Sequence, residues 1–128
     1  MKRFILLLIF IFALIIIVPY NTANTPEHVA RVWGVEDSKA YAKDKLLAWQ
    51  ENQYRCLEKL WSKESNWRPE AYNKIKVMGK NAGGIPQILG MSPKTPAPEQ
   101  IDRGLAYIIH RYGTPCQAWK FHQRKGYY

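Results

Sequence analysis

The sequence has few acidic residues, only two cysteines and no repeated segment. Ten Asp and Glu residues stand against 19 Lys and Arg residues in a chain of 128, which gives a formal charge of +9. Two cysteines exclude a disulfide-dense scaffold, and His110 and His122 lack the companion ligands of a metal site. The absence of internal repeats excludes a repeat array, and no convincing strand pattern is present. One modest domain with a single core remains.

The first 23 residues have the pattern of a targeting segment. Lys2 and Arg3 precede an uninterrupted apolar run over residues 4–18. This order is typical of a secretory signal, so we expect export to a secreted, periplasmic or cell-wall location. The residues after the apolar run match a cleavage site poorly. Two outcomes therefore stay open, namely removal of residues 1–23 as a signal peptide, or retention of residues 4–20 as a membrane anchor.

The excess of basic residues persists without the targeting segment, because removal of Lys2 and Arg3 still leaves a charge of +7. A basic exported protein suits anionic surfaces. The tail from Trp119 to Tyr128 interleaves basic and aromatic residues, as nucleic-acid-binding segments do, but export argues against that partner. We expect an envelope polymer or phospholipid head groups in place of nucleic acid. We also expect a monomer that needs no metal or other cofactor.

The remaining chain is predicted to be a linker followed by a mainly α-helical domain. Residues 24–36 show no sustained period and are interpreted as the linker, and residues 37–128 as the domain. A first helix is predicted to begin at Asp37 or Ser38, either of which can cap it. A second helix ends before Pro69, because the residue before a proline is disfavoured in the helical region.

The C-terminal part predicts two more helices. Apolar spacing from Ile101 to Tyr112 marks the third helix, which Gly113 ends. Thr114 then caps a fourth helix with Pro115 at its first position. The loop-like stretch before the third helix allows a small hairpin over Lys74 to Met78 and a short helical turn beginning at Ile85-Pro86.

The two cysteines are predicted to form one disulfide. Cys56 and Cys116 both fall on predicted inward faces, and thiols pair in the compartments that exported proteins reach. The loop between them spans 60 residues, so the bond is worth on the order of 4 kcal/mol in the chain-entropy estimate. Two separate buried thiols are the alternative. Neither cysteine lies in a recognisable nucleophile motif.

Glu64 is a carboxylate on the apolar stripe of the second predicted helix. Cys56, Leu57, Leu60, Trp61 and Glu64 recur at helical spacing, so they share one face. An acid on such a face loses hydration, which raises its pKa and lets it hold a proton near neutral pH. Glu64 is therefore a candidate general acid. The alternative is that it lies just past the packed stripe and is solvated or salt-bridged at the helix end.

Two motifs around Glu64 resemble the lytic transglycosylase domain of the lysozyme-like superfamily. The segment 61–73, WSKESNWRPEAYN, has a Glu-Ser pair at a predicted helix end and then an Asn-Pro-x-Ala type stretch. Residues 84–87, Gly-Ile-Pro-Gln, correspond to the family's Gly-Leu-Met-Gln type motif. The run 107–119 also resembles a small exported branch found beside aggregation-promoting factor C-terminal domains. The resemblance covers about residues 56–128 and implies a small lysozyme-like fold.

The resemblance implies cleavage of the β-1,4 bond between N-acetylmuramic acid and N-acetylglucosamine in peptidoglycan glycan strands. Glu64 would first protonate the leaving glycosidic oxygen and then act as base. Family members use the substrate's own acetamido group and C6 hydroxyl in place of an enzyme nucleophile and water, which leaves a 1,6-anhydro end.

The scarcity of acids bears on the choice between this route and hydrolysis. An ordinary glycoside hydrolase needs a second carboxylate roughly 5 to 10 Å from the first. After Glu64 the chain has only Glu70, Glu99 and Asp102. One alternative is a hydrolysing lysozyme in which Glu70 takes the second role. A non-catalytic wall-binding or membrane-tethered module is the other.

The same resemblance implies further site residues. Gln87 is expected to hydrogen-bond the sugar or orient Glu64, Ser65 to hold Glu64, and Gly83-Gly84 to let the backbone approach the saccharide. Aromatic residues are candidates to stack on sugar rings: Trp67, Tyr72, Tyr112 and Trp119. Each assignment has a structural alternative, which is a simple turn for the glycines, a solvated helix end for Ser65 and core packing for the rings.

The sequence departs from the family pattern in two places. Pro86 stands where many members have methionine. The later Ala-Tyr-Asn motif is missing from its usual position, where Tyr112-Gly113 is the nearest substitute. Ala71-Tyr72-Asn73 matches by letters only, because it precedes the glycine motif. Contacts at the far end of a saccharide cleft are therefore the least well predicted.

Overall fold

The computed structural model describes residues 32–128. The predicted targeting segment 1–23 and the predicted linker as far as residue 31 lie outside this range. Four helices and a small antiparallel sheet make up the described part. In chain order they are α1 (Val35–Lys45), α2 (Glu51–Ser65), β1 (Tyr72–Val77), β2 (Lys80–Gly83), β3 (Ile88–Leu89), α3 (Ala97–Tyr112) and α4 (Pro115–Lys125). The predicted mainly α-helical class is confirmed.

Helix α1 begins at Val35, two residues before the predicted start, so Val35 and Glu36 belong to the helix and not to a linker. Gly34 is the N-cap, and its N–H donates to Asp37 Oδ2 at 2.9 Å. Asp37 thus stabilises the helix start from inside the first turn. Ser38 is buried, accepts a hydrogen bond from Trp33 Nε1 and donates to the Gly34 carbonyl. The prediction that Asp37 or Ser38 is the cap was therefore wrong.

The ends of the other helices follow the predicted signals. Helix α2 ends at Ser65, before Pro69, and Asn66 closes it in the left-handed conformation with φ 52°. Gly113 ends α3 with φ 82°. Thr114 caps α4, because its side chain accepts a hydrogen bond from the Gln117 N–H at 3.2 Å. Proline at the first position of α4 has no N–H to leave unpaired there.

The sheet has the order β1-β2-β3, and both pairs are antiparallel. Strands β1 and β2 form the predicted hairpin, with Val77 opposite Lys80 next to its turn. The predicted helical turn at Ile85-Pro86 is instead a β-turn that joins β2 to β3, in which the Gln87 N–H donates to the Gly84 carbonyl at 3.2 Å. Strand β3 was not predicted, because two residues show no periodicity.

The core lies among the four helices. Its buried apolar residues come from all of them and from the loops beside α2 and β2: Ala42, Leu46, Leu57, Leu60, Trp61, Trp67, Ile85, Ala97, Ile101, Leu105, Ile108 and Ala118. The predicted disulfide is confirmed, since Cys56 on α2 is bonded to Cys116 on α4. Over residues 32–128, none of the helices has the length and apolar content that crossing a bilayer requires.

Candidate active site

Glu64 lies in the last turn of α2, one residue before the helix ends. Its side chain is 17% exposed, so it is largely removed from water but still reachable. Burial raises the pKa of the Glu64 carboxyl to about 7, because the charged form loses hydration. Glu64 therefore faces inward and is not a solvated side chain at the helix end. A group with this pKa is part protonated and part ionised at neutral pH.

The carboxyl of Glu64 is in contact with His122 on α4. His122 Nε2 lies 3.1 Å from Glu64 Oε1, and the His122 side chain is only 15% exposed. Burial lowers the pKa of His122, and the positive charge of Lys63 lowers it further. Because burial disfavours charge on both groups, a neutral carboxylic acid beside a neutral imidazole is favoured over the ion pair. The sequence analysis did not predict this partner for Glu64.

Two contacts of α4 fix the position of His122. The disulfide joins α4 to α2 at Cys56 and Cys116. The ring of Trp119 stacks on the imidazole of His122, with centroids 5.6 Å apart and planes 15° apart. Trp119 therefore packs against the residue that contacts Glu64, and it also borders a surface groove of about 370 Å³ with Glu58, Lys59, Ser62 and Lys63.

Chain spacing contained a signal for the Glu64–His122 contact. Glu64 follows Cys56 by eight positions, and His122 follows Cys116 by six. At 1.5 Å per residue, the two side chains lie about 12 Å and about 9 Å along their helices from the disulfide. If α2 and α4 run in the same direction from the disulfide, Glu64 and His122 lie at similar heights along neighbouring helices. The sequence does not give the relative direction of the two helices, which tertiary packing determines.

Ser65 does not hold Glu64. Its side chain is buried, and its hydroxyl donates to the Ile85 carbonyl at 2.7 Å, with the Trp61 carbonyl at 3.3 Å as a second acceptor. One hydroxyl hydrogen cannot also serve the carboxyl of Glu64. The expectation for Ser65 is corrected, since this residue ties the end of α2 to the turn between β2 and β3.

The Gly83-Gly84 pair lies against protein and not against an open groove. A Cβ on Gly84 would lie 2.4 Å from Gln100 Oε1, and a Cβ on Gly83 would lie 2.2 Å from the Met91 carbonyl oxygen. Gly84 also has φ 72°, which disfavours a side chain. The close backbone approach predicted for these glycines is therefore made to Gln100 and Met91.

Gln100 organises this turn from α3, and sequence analysis missed it. Its side chain is completely buried. The Oε1 atom accepts from the Ile85 N–H at 2.8 Å, and Nε2 donates to the carbonyls of Pro69 and Thr95 at 3.0 and 2.7 Å. A fully bonded buried amide fixes the loops on both sides of the sheet.

Gln87 is half-buried and has φ 49°. Its Nε2 donates to the Gly84 carbonyl at 2.9 Å and to the Ala71 carbonyl at 3.2 Å. The amide nitrogen is thus occupied by the backbone, and within residues 32–128 no bond joins Gln87 to Glu64. The prediction that it orients Glu64 is corrected, whereas its contact with a sugar stays a prediction.

Tyr128, the last residue of the chain, joins α2 to the same turn. Its hydroxyl accepts from Trp61 Nε1 at 2.9 Å and donates to the Pro86 carbonyl at 2.6 Å. Burial raises the pKa of this hydroxyl well above its usual value, and the nearby Glu64 charge raises it too. Tyr128 therefore stays a neutral hydrogen-bond donor beside the Glu64 carboxyl.

The four aromatic candidates lie in different places. Trp67 is 1% exposed, donates from Nε1 to the Glu58 carbonyl and packs edge-on against Trp61. A ring so buried offers no face to a sugar, so its assignment is corrected to core packing. Tyr72 is 49% exposed and borders a groove of about 490 Å³ with Lys80, Asn81, Lys94 and the segment 90–93.

Tyr112 belongs to an aromatic cluster with Tyr107, Phe121 and Tyr128. Its hydroxyl is buried and has no hydrogen-bond partner among the described residues. Burial raises the pKa of Tyr112 to about 12. The ring of Tyr112 packs on protein neighbours but is only partly buried, so its stacking on a sugar stays a prediction. The exposed ring of Tyr72 and the partly exposed ring of Trp119 stay candidates for stacking.

The other acids after Glu64 are exposed or pair with other residues. Glu70 is exposed in the turn before β1. Glu99 is 3.8 Å from Arg103, and Asp102 bonds the Tyr41 hydroxyl and lies 3.4 Å from Lys45. Within residues 32–128, no three His, Cys, Asp or Glu side chains are grouped as metal ligands. The arrangement is thus a single buried carboxyl with an imidazole partner.

Comparison with models of protein families, with curated proteins and with solved structures finds no match for this chain.

Proposed function

We propose that the protein is a peptidoglycan lytic transglycosylase with a small lysozyme-like fold, which cleaves the N-acetylmuramic acid to N-acetylglucosamine β-1,4 bond with Glu64. The observation that carries the proposal is the buried Glu64 carboxyl, which keeps 17% exposure and whose pKa burial raises to about 7. A group that is to donate and then accept a proton works best with a pKa near the working pH.

The contact with His122 assigns separate roles to the two carboxyl oxygens. We assign the hydrogen of the neutral imidazole to Nε2, from which it is donated to Glu64 Oε1 at 3.1 Å, and this assignment leaves Oε2 to carry the acidic proton. In the first step that proton moves from Oε2 to the glycosidic oxygen as the bond to the anomeric carbon breaks, assisted by the substrate's acetamido group. The Glu64 carboxylate that forms keeps the His122 hydrogen bond.

The second step restores the enzyme. The C6 hydroxyl of the muramic acid unit attacks the anomeric carbon, and Glu64 Oε2 takes the hydroxyl proton. The product is a 1,6-anhydro end, and no water is consumed. This route needs one carboxylate, whereas hydrolysis by the usual two-acid mechanisms needs a second at a defined distance. Glu70 is exposed, and Glu99 and Asp102 are occupied by ion pairs, which favours transglycosylation over hydrolysis.

The deciding experiment is digestion of purified peptidoglycan by the wild type and by Glu64→Gln. We expect the wild type to release muropeptides with anhydro ends, and Glu64→Gln to fall by about 10²- to 10⁴-fold, the usual contribution of a general acid. Glu51→Gln is the matched control, because Glu51 lies on the same helix but is exposed and pairs with Arg55. Reducing ends would indicate hydrolysis. Binding to peptidoglycan without any product, unchanged in Glu64→Gln, would indicate a wall-binding module and would end the proposal.

A second variant tests the role of His122. Replacing His122 with Leu removes the donor to the developing carboxylate, so kcat should fall roughly 10- to 100-fold, the range for a hydrogen bond to a charged group. The alkaline limb of the pH profile, expected near pH 7 in the wild type, should move upward. His122→Gln keeps an N–H donor and should recover part of the rate. His110→Leu, at an exposed histidine of α3, should change neither quantity.

A further inference from the structure

The hairpin of β1 and β2, residues 72–83, exposes apolar side chains at its tip. Ile75 is 72% exposed, Val77 is 52% exposed and Met78 is 91% exposed. Every residue of β1 is exposed along its whole length. Scattered apolar residues on a surface need no explanation, but three within four positions at the end of a projecting element form a patch.

The turn of this hairpin is unfavourable for the residue that occupies it. Val77 pairs with Lys80, so Met78 and Gly79 are the two turn residues, and their φ angles are 52° and 76°. Such two-residue turns prefer Asn-Gly, because Asn tolerates the left-handed conformation better than other side chains. Methionine at this position thus departs from both turn chemistry and the usual burial of apolar residues. Departures that coincide at one position are characteristic of functional sites.

Lysines lie next to the apolar tip on both strands of the hairpin. Lys74 and Lys76 alternate with Ile75 and Val77 along β1, and Lys80 begins β2. Residues 72–83 contain no Asp or Glu, so the hairpin carries a charge of +3. Long basic side chains beside exposed apolar ones are the composition of segments that lie at the interface of anionic membranes.

We propose that the hairpin 72–83 docks on an anionic lipid bilayer, with Met78, Val77 and Ile75 in the head-group region and the lysines against lipid phosphates. A soluble polyanion would satisfy the lysines but would leave the apolar tip in water. A second copy of the chain fits less well, because pairing of two β1 edges would bring lysines of one copy close to lysines of the other. The inference does not depend on Glu64 or on the peptidoglycan proposal.

The test must separate the hairpin from the apolar segment 4–20. We propose hydrogen–deuterium exchange of the full chain, with amide protection of residues 72–83 as the local readout. Vesicles of phosphatidylcholine with phosphatidylglycerol are compared with vesicles of phosphatidylcholine alone. We expect protection of residues 72–83 with the anionic vesicles only, and its loss on raising the salt concentration.

The variants sharpen the readout. Met78→Asn removes apolar area from the tip, so the affinity for anionic vesicles, measured from the protection of residues 72–83, should fall about tenfold. Asn suits the turn, so the hairpin should stay folded. Lys74→Gln and Lys76→Gln should each lower the affinity for anionic vesicles about fivefold, since one lysine near the membrane surface contributes roughly that factor. Ile109→Asn is the control, because Ile109 is 47% exposed but lies on α3.

Four results would overturn the proposal. They are absence of vesicle-dependent protection in residues 72–83, equal effects of Met78→Asn and Ile109→Asn, equal protection by soluble polyglutamate, and protection that rises with protein concentration in the absence of vesicles. The last would assign the hairpin to self-association. Muropeptide release from isolated walls contains no bilayer, so failure of the peptidoglycan proposal would be seen separately.

Discussion

Glu64 and Met78 depart from the usual distribution of polar and apolar side chains in opposite directions. Glu64 is a carboxyl turned inward between α2 and α4, with 17% of its side chain exposed. Met78 is an apolar side chain turned outward, with 91% of its surface exposed. The first region is fixed by a disulfide and by three hydrogen bonds to the turn 84–87, two donated by Ser65 and Tyr128 and one accepted by Gln100. The second is a hairpin end held by strand pairing.

The difference shows what each region is suited to do. Proton transfer requires a group whose position and hydration are fixed, and the region around Glu64 has buried polar contacts that provide this. Contact with a soft surface requires projection and exposed apolar area, which the hairpin provides. Variants that disturb one region should therefore leave the other intact, and the predictions below test this separation.

The largest expected effect comes from the disulfide. Cys56→Ser together with Cys116→Ser removes the link between α2 and α4, the two helices that carry Glu64 and His122. We expect the free energy of unfolding to fall by about 4 kcal/mol for a loop of this length. Urea denaturation followed by circular dichroism measures the change. Below the unfolding transition, muropeptide release should drop while vesicle-dependent protection of the hairpin persists. Equal loss of both would show that the two regions are not separate.

The next effect concerns the pH dependence of stability. Burial raises the Glu64 pKa from 4.5 to about 7, so the folded state binds this proton more tightly than the unfolded state does. Stability therefore falls as pH rises from about 4.5 to about 7 and is constant above that range. At pH 8 the raised pKa of Glu64 therefore lowers the free energy of unfolding of the wild type by about 3 kcal/mol.

Glu64→Gln should remove most of this loss, so that its stability exceeds that of the wild type at pH 8 by up to about 3 kcal/mol and differs little at pH 4. Urea denaturation at both pH values measures it. The lowered pKa of His122 works in the opposite sense just below pH 6.5, but that residue is present in both proteins. Parallel pH curves for the two proteins would contradict burial of Glu64. Met78→Asn should leave the pH dependence unchanged.

Two glycines with similar backbones compare the regions directly. Gly84 and Gly79 have φ angles of 72° and 76°, but a Cβ on Gly84 would collide with Gln100, whereas one on Gly79 would meet nothing within 4 Å. Gly84→Ala should cost about 2 to 3 kcal/mol from strain and collision together, and Gly79→Ala about 1 kcal/mol from strain alone. Thermal unfolding of both variants gives the comparison. Equal costs would mean that the Gly84 turn is as loosely packed as the hairpin tip.

The smallest expected effect is a gain. Met78→Asn places the preferred residue in the hairpin turn, so stability should rise by roughly 0.5 to 1 kcal/mol. The free energy of unfolding measured in urea checks it, with Ile109→Asn as a surface control. A loss of stability would show that Met78 packs on a neighbour, and the hairpin tip would then belong with the packed region.

Sequence reasoning succeeded where the signal was local. Thr114, Pro115 and Gly113 mark helix ends through their own backbone chemistry. A hairpin was predicted over residues 74–78, and the observed one is longer, spanning residues 72–83. The pairing of Cys56 with Cys116 is not local, but it was predictable because the chain has only two cysteines. Gly34 has no side chain that could indicate an N-cap, so the start of α1 was predicted two residues too late. Gln100 was missed because a polar residue on an amphipathic helix is expected to face solvent, yet its amide bonds three backbone groups in the interior.

The order of residues alone predicted the ends of several helices, a hairpin and the apolar stripe that carries Glu64, because caps, prolines, glycines and apolar spacing act over a few neighbouring positions. It left the direction of the Glu64 side chain and the pairing of the two cysteines as alternatives, which the fold decided. Packing of α4 on α2 decided that His122 is the partner of Glu64. The position of the turn between β2 and β3 at the end of α2 decided that Ser65 bonds the Ile85 carbonyl, and burial against α2 decided that Trp67 serves packing. These outcomes depend on the relative direction of elements distant in the chain. That direction is set by how their side chains fill a shared core, which no short stretch of sequence encodes.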